Sequence, residues 1–500
     1  MTPTLLAQIN YSSGQAWSDL AQIAPIVAVT VALLVAVVID LVLPRTLRGP
    51  VVALISATGL VAALAIAAYR LVNGYGGPAY YRFVTGDAFA LFFEMLFAIV
   101  GVLTVIVGSS YVRRRGLDEA ELHVLVLAAI VGMMSLAAAT SLVTVFLGLE
   151  LLSIALYVSC GYNKREPQSQ ESAAKYLIIG GFASAFVLYG MALVYGATGS
   201  TVLADITSRV TADNTGNPLL LLGVLLMGVG FAFKVSAAPF HMWTPDVYQG
   251  APLPVTAFMS VATKAAGFAM ILRVFGYGLV HLGSEWQVLL AFVAAASMIV
   301  GNLMAIVQAS LKRMLAYSGV AQAGYVLVGV IAGGRTGVAA VLFYLFGYVF
   351  MNFGAFAVVA AQTSVDGDGD RYEDLNGLGY RNPTLGVLMS VFMLSLAGFP
   401  PMVGFFGKVF LFAAGISAGW TWLVVLAVLT SVVSVYYYFR VLFHVWSPLP
   451  QAAVRTSFGP VRGPVTVVLL TAIFAVALGP LSGYLLQMGL TGAGPLLSGR

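Results

Sequence analysis

Apolar runs of 18 residues or more recur along the whole of this 500-residue sequence. Each is long enough to cross the ~30 Å of hydrocarbon in a bilayer. In that medium a helix satisfies its backbone hydrogen bonds within one segment. The chain therefore reads as an all-α integral membrane protein. Spans are expected near 22–43, 50–70, 84–111, 122–140, 142–161, 172–197, 218–245, 252–275, 287–309, 314–333, 336–362, 384–415, 420–446 and 463–488, about fourteen in all. An even number puts both termini on one side. Composition removes the soluble alternatives: 60% of residues are hydrophobic and 9% charged, with mean hydropathy +0.97. Soluble domains carry about 25% charged residues and have no way to hide so much apolar surface. The signal runs from end to end, so residues 1–500 are taken as a single polytopic domain.

The net charge of +5 finds its explanation in the loops rather than in nucleic acid. With the N-terminus outside, inward loops hold Arg45, Arg48, Arg113, Arg114, Arg115, Lys164, Arg165, Lys175, Lys312, Arg313, Arg371, Arg381, Arg455 and Arg462. Outward segments hold Arg70, Arg82, Arg209, Arg273, Arg335 and Arg500. Basic residues collect on the cytoplasmic side, so both termini are expected outside. Cys160 is the one cysteine and the four histidines are scattered, which leaves no disulfide and no ligand set for a metal or redox centre. The first apolar run has no basic residue ahead of it, so the first helix is expected to be retained rather than cleaved.

Charges inside the spans carry the chemistry. Glu150, Lys234, Lys264 and Lys408 fall mid-span, with Glu94 in the third span and Arg440 near the inner end of the thirteenth. An ionised residue at mid-bilayer costs ~2.5–3.5 kcal/mol on insertion scales, so these side chains must face the bundle interior, pair, or line hydrated paths. Static ion pairs are the plain reading, yet one acid against three lysines does not balance. An amine deprived of water gives up its proton more readily, a property that suits a proton carrier. Bringing Glu150 towards Lys234 would then favour the charged lysine, and separating them would favour release.

Two spans look interrupted. GVGFAFKVSAAPFHMWTP places Pro239 after Lys234, and MLSLAGFPPMVGFFGKVF places Gly398, Pro400 and Pro401 before Lys408. Internal proline removes a helix hydrogen bond, and broken membrane helices survive where protein or a water-filled cavity covers the freed backbone. The seventh span runs inward and the twelfth outward, the pattern of two inverted five-helix repeats, about 122–275 and 287–446. Further polar side chains lie in the spans. Ser318, Gln322 and Tyr325 share a face at i, i+4, i+7, with Asn302, Gln308, Tyr344, Tyr348 and Asn352 in neighbouring spans and His241 after the first break. Interhelical hydrogen bonding is the plain reading for each, and a proton relay the functional one.

The stretch FKVSAAPFHMWTPDVYQGAPLPVTAFMSVATKAAGF at 233–268 resembles a signature of the antiporter-like membrane subunits of respiratory complex I, a family that also includes subunits of multi-chain sodium/proton antiporters. FLGLELLSIALYV around Glu150, LKRMLAYSGVAQAGY at 311–325 and LAGFPPMVGFFGKVF around Lys408 match it in the same order. The resemblance implies a proton-translocating subunit of NADH:quinone oxidoreductase. Glu150 and Lys234 would form one half-channel, Lys264 the connection and Lys408 the second half-channel. It implies no cofactor in this chain, with FMN, iron–sulfur clusters and quinone in partner subunits. The partners would be other membrane-arm subunits, further antiporter-like ones among them, in a bacterial plasma membrane. Lysine at 408, where the M type usually has glutamate, and an end soon after the last span favour the N type. An M-type subunit, a sodium/proton antiporter subunit and a passive scaffold remain the alternatives.

Overall fold

The computed structural model describes residues 13–74, 76–211, 213, 215–362, 369–448 and 462–496. Arg455 and Arg500, used above to orient the chain, lie outside them. The helices in chain order are α1 (Ser13–Gln22), α2 (Ala24–Val42), α3 (Arg45–Asn73), α4 (Ala88–Arg115), α5 (Glu119–Ala138), α6 (Leu142–Cys160), α7 (Pro167–Thr198), α8 (Leu203–Arg209), α9 (Pro218–Lys234) and α10 (Trp243–Gly250). Next come α11 (Leu253–Phe258) and α12 (Lys264–Ile271), joined by a π-helical turn at Met259–Thr263. Then follow α13 (Gly283–Ile306), α14 (Leu311–Ala332), α15 (Gly334–Gln362), α16 (Leu378–Arg381), α17 (Pro383–Ala397), α18 (Val403–Ser417), α19 (Thr421–Val445), α20 (Arg462–Ala477) and α21 (Ser482–Ala493). A small hairpin, β1 (Pro78–Ala79) with β2 (Val84–Thr85), covers one end of the bundle.

Among the described residues eleven helices are long and apolar enough to cross a membrane, or twelve with the bent C-terminal pair counted as one span. Three shorter apolar helices, α9, α17 and α18, accompany them. The two expected interruptions are present in the seventh and twelfth spans, and a third lies in the fourteenth, where none is expected. The seventh stops at Lys234 rather than continuing to 245, because Ser236 takes a positive φ of 61° and Pro239 follows. The twelfth is two helices, α17 and α18, separated at Gly398–Met402. The stretch 463–488 is no single helix: it bends by 92° between α20 and α21, where Gly479 and Pro480 interrupt the hydrogen-bond ladder. The short helices α1, α8 and α16, most of α10 and the hairpin lie in segments read as loops, since elements this brief carry too few residues for a periodic pattern.

Helices α11, α12, α14 and α15 are enclosed on all sides, whereas α2, α3 and α7 turn apolar side chains such as Leu34, Leu41, Leu54 and Phe182 outward. Lipid is as apolar as leucine, so helices here associate by close packing rather than by the hydrophobic effect. Reciprocal glycines provide that closeness. A β-carbon on Gly132 would stand 2.8 Å from the Gly148 carbonyl oxygen, and one on Gly148 would stand 2.9 Å from that of Gly132. Gly190 and Gly223 make the same arrangement between α7 and α9, at 2.7 and 2.9 Å.

Ion pairs join residues assigned to the same face. Arg115–Glu166 at 3.1 Å and Arg313–Asp246 at 2.6 Å lie on the basic face. Arg82–Asp205 at 3.0 Å and Arg273–Asp87 at 2.7 Å lie on the other.

Candidate functional site

Each broken span carries a buried lysine close to its break. Lys234 is the last residue of α9, and its Nζ donates to Ser153 Oγ at 2.8 Å and Tyr176 Oη at 3.4 Å, 5.7 Å from the Tyr176 ring centre. Lys408 lies in α18, past a turn whose Gly398 takes φ 92°, a conformation that favours glycine. A β-carbon at Gly398 would also stand 3.4 Å from Lys408 Nζ. Lys408 Nζ donates to Ser431 Oγ at 2.8 Å and the Ala397 carbonyl at 3.0 Å, 5.2 Å from the Tyr325 ring centre. Each lysine thus has a serine hydroxyl at the same distance and a tyrosine ring beside it. The two are 2% and 5% exposed.

Lys264, 2% exposed, opens α12 and donates to the backbone carbonyl of Gly319 in α14. The residue before Gly319, Ser318, shares a hydrogen bond of 2.5 Å with Tyr438 Oη. Gln322 Nε2 reaches that same hydroxyl at 3.1 Å and the Leu396 carbonyl at 3.3 Å, and Gln322 Oε1 accepts from Tyr344 Oη. Leu396 adjoins Ala397, the acceptor of Lys408. Buried polar contacts from Ser318 through Tyr438 and Gln322 thus span the distance between Lys264 and the turn that holds Lys408, with chain neighbours rather than hydrogen bonds as the link at each end. Tyr325 turns away from this set to Asn302 at 3.0 Å and Thr430 at 3.4 Å, and Asn302 in turn accepts from Tyr437 at 2.9 Å.

The structure differs from the sequence reading at several residues. Glu150 and Lys234 make no ion pair. Lys234 instead binds Ser153, one turn beyond Glu150 on α6, and Glu150 acts on it only from farther away. Glu150 is half-buried at the edge of the apolar outer face of α6, with Oε1 unpartnered. His241 is half-buried in the turn after α9, its Nδ1 unpartnered and its ring centre 6.1 Å from that of Tyr317. The Tyr348 hydroxyl is buried without a partner. Arg440 donates to the Ile306 and Gln308 carbonyls at the end of α13, both at 3.2 Å, and lies 4.4 Å from the Tyr372 ring centre. Glu94 is enclosed within this chain, 1% exposed, with no donor to either carboxyl oxygen. Sequence reasoning missed Ser153, Tyr176, Ser431 and Tyr438. Ser153 lies three residues from Glu150, which was a usable cue. Tyr438 sits in the run Tyr436–Tyr437–Tyr438, where nothing in the sequence distinguishes the two inward rings from the outward one.

Outside the apolar spans, Asp246 of α10 bridges α7 and α14 on the basic face. It accepts from Lys175 of α7 at 2.8 Å and from Arg313 of α14 at 2.6 Å. Burial raises the cost of its charge, but the hydrogen bonds and charges of Lys175 and Arg313 outweigh it and hold the carboxyl below its ordinary value.

Residues 139–434 match the family described as NADH:quinone oxidoreductase/Mrp antiporter, TM. The chain is 46% identical over 383 residues to NADH-quinone oxidoreductase subunit N of Trichlorobacter lovleyi, covering 76% of this chain and 79% of that one. It is 39% identical over 469 residues to NADH-quinone oxidoreductase subunit N 2 of Rhizobium meliloti, covering 94% and 96%. Among solved structures, a chain of respiratory complex I from Thermus thermophilus with bound aureothin superposes with a TM-score of 0.77 at 36% identity, covering 93% of this chain and 98% of that one. With a helical membrane fold, buried lysines at both breaks and relatives of this identity and coverage, the chain belongs to the NADH:quinone oxidoreductase/Mrp antiporter family, in its NADH-quinone oxidoreductase subunit N branch.

Proposed function

We propose that this chain carries protons across the bacterial membrane along Lys234, Lys264 and Lys408, as the N-type subunit of the membrane arm of NADH:quinone oxidoreductase. The observation that carries the reading is the row of buried polar contacts between Lys264 and the Lys408 turn. The Ser318 and Tyr438 hydroxyls can each accept a proton and release their own, and water would carry it past Gln322, whose Nε2 only donates, and past the backbone carbonyls that hold the lysines. Three lysines at 5% exposure or less would be a costly way to pack helices, since a purely structural core needs no ammonium groups. Glu150 modulates the charge of Lys234 from α6, and Ser153 supplies the direct contact. His241, Ser318, Gln322, Tyr325, Tyr344 and Tyr348 stand as relay candidates, with Ser318, Gln322 and Tyr344 in direct hydrogen-bonded contact through Tyr438 and Gln322.

On this reading the chain makes fourteen crossings, counting α9 as the seventh, α17 with α18 as the twelfth and α20 as the last. Both termini face outside, and residues 122–275 and 287–446 form the inverted repeats. The similar surroundings of Lys234 and Lys408 support the repeat. FMN, iron–sulfur clusters and quinone belong to partner subunits, and quinone reduction there drives the charge changes here. Moving one charge against 100 mV takes ~2.3 kcal/mol, within reach of a change in the surroundings of one buried lysine.

The test is NADH-driven proton pumping in membrane vesicles carrying Lys234→Ala, with assembly of the complex followed in parallel. Pumping and quinone reductase activity are expected to fall together in the assembled complex. Unchanged pumping would return the chain to a scaffold role.

A further inference from the structure

This inference rests on Lys408 as a proton carrier and concerns what holds it in place. A membrane helix can break only where protein or a water-filled cavity covers the freed backbone. At the first break the inner helices give that cover: Ser297 Oγ of α13 accepts from the Ala238 nitrogen at 2.8 Å, and Ala237 and Ala238 are buried. The second break, Gly398–Met402, leaves Phe399, Pro400 and Pro401 exposed on one side. On another side it meets the third break, the bend between α20 and α21.

Gly479 makes that contact. It is buried, and a β-carbon there would overlap the Pro401 carbonyl oxygen and stand 3.0 Å from the Pro401 carbonyl carbon. These are backbone atoms of a short turn, so they have no side-chain freedom with which to swing aside. A β-carbon at Gly404 would likewise overlap the Ser395 carbonyl oxygen, and the Gly404 N–H donates to Ser395 Oγ at 3.3 Å. The turn is thereby gripped from α17 and from the bend. Ala397, just before the turn, supplies the carbonyl that accepts from Lys408 Nζ at 3.0 Å. The bend is itself anchored elsewhere. Helix α20 packs on α15 and α17, and α21 on α15 and α4. A β-carbon at Gly489 of α21 would stand 3.0 Å from the Ala339 carbonyl of α15. The bent pair is a strap around α15, with its corner on the turn beside Lys408.

We propose that Gly479 is a positioning residue for Lys408: the C-terminal bend seats on the Pro401 carbonyl and so sets where the Ala397 carbonyl stands against the Lys408 amine. Glycine is required at the seat because there is no room for a β-carbon. Pro480 brings the seat into place, since α20 has to end ahead of it.

The experiment measures NADH-driven acidification of inverted vesicles per assembled complex as a function of pH. Gly479→Ala is expected to slow acidification about tenfold. It is also expected to move the pH of half-maximal pumping by about half a unit, because the displaced turn changes an acceptor of the Lys408 amine. A packing defect alone lowers the rate by one factor at every pH. Gly463→Ala is the packing control: its β-carbon would stand 3.1 Å from the Ile106 carbonyl of α4, at the far end of α20. Gly483→Ala, which points into open space, is expected to leave rate and profile unchanged. An unmoved profile in Gly479→Ala, or the same movement in Gly463→Ala, would overturn the proposal. If Gly479→Ala does not assemble, Pro480→Ala decides, since it relaxes the bend without adding volume at the seat, and there too an unmoved profile counts against the proposal. Lys408→Ala separates the two levels of the argument. If Lys408→Ala pumps normally, the carrier role of Lys408 and the positioning role of Gly479 fall together. If it stops pumping while Gly479→Ala keeps the unmodified rate and profile, only the positioning role falls.

Discussion

Tyr438 stands where the two lines of contact from α14 meet, since Ser318 and Gln322, one turn apart, both end on its hydroxyl. Tyr438→Phe keeps the ring and removes the meeting point. Two buried polar groups then lose a partner, at about 1–3 kcal/mol for each group left unsatisfied. Proton pumping per assembled complex is expected to fall on the order of tenfold, whereas Tyr436→Phe, altering an outward-facing ring, should leave it unchanged. A second residue-scale expectation concerns Asp246. Its carboxyl is held below the ordinary value near 3.8 by Lys175 and Arg313 against the cost of burial. A carboxyl depressed in the folded state contributes stability above its unfolded pKa and loses that contribution as pH falls through the folded value. Asp246→Asn should therefore lower the thermal unfolding temperature in detergent at neutral pH, and the gap should close as the pH drops below 3.8. A gap that persists there would mean that Asp246 acts through shape rather than charge. The three lysines and Glu150 are legible as residues because a charge in an apolar run is conspicuous. Their direct partners are not, because serine and tyrosine occur throughout these spans and only packing selects Ser153, Ser431 and Tyr438.

Helix α6 carries Glu150 and Ser153 on one side and packs against α5 through Gly132 and Gly148 on another. Enlarging Gly148 would drive a side chain into the backbone of α5, since even a β-carbon there stands 2.9 Å from the Gly132 carbonyl and 3.0 Å from the Leu136 nitrogen. Gly148→Val is expected to destabilise the bundle by about 1–3 kcal/mol and to shift α6 away from α9, breaking the Ser153–Lys234 contact. Detergent-resistant assembly measured against temperature checks the first part, and pumping in the surviving complex checks the second. The element scale also shows where pattern reading reaches its limit. Proline and glycine mark the breaks at 236–239, 398–401 and 479–480, and the first two are apparent from the sequence. The third was read as continuous helix because the apolar run itself does not stop there. Hydropathy reports what a segment tolerates around it, and the direction of its axis follows from neighbours.

At the scale of the molecule, the fixed arrangement of faces gives a test of orientation. Lys164 and Ser208 are both exposed, at ends of the bundle assigned to opposite sides. In a Cys160→Ser background, Lys164→Cys is expected to react with a membrane-impermeant thiol reagent from the cytoplasmic side, and Ser208→Cys from the outside. The reverse pattern would invert the topology and with it the direction of the proposed proton path. Contacts between helices far apart in sequence also belong to this scale. Asp246 connects α7 to α14, and Lys264 joins α12 to Gly319 in α14. A change at either lysine-bearing break thus has a short physical route to the other.

The amino-acid sequence alone determined the class of fold, the approximate spans, both lysine-bearing breaks and the family, because each rests on local facts: apolar length, a charge where lipid should be, a proline where a helix should continue. Tertiary structure alone decided that Lys234 contacts Ser153 rather than Glu150, that Arg440 caps a neighbouring helix, and that Glu94 is enclosed by its own chain. It also brought the α14 and α19 side chains into one line of contacts. These are meetings between residues up to 134 positions apart, as Arg440 and Ile306 are. In a membrane every helix has many apolar neighbours it could accept, so the choice rests on close-packed shape and on polar groups finding partners.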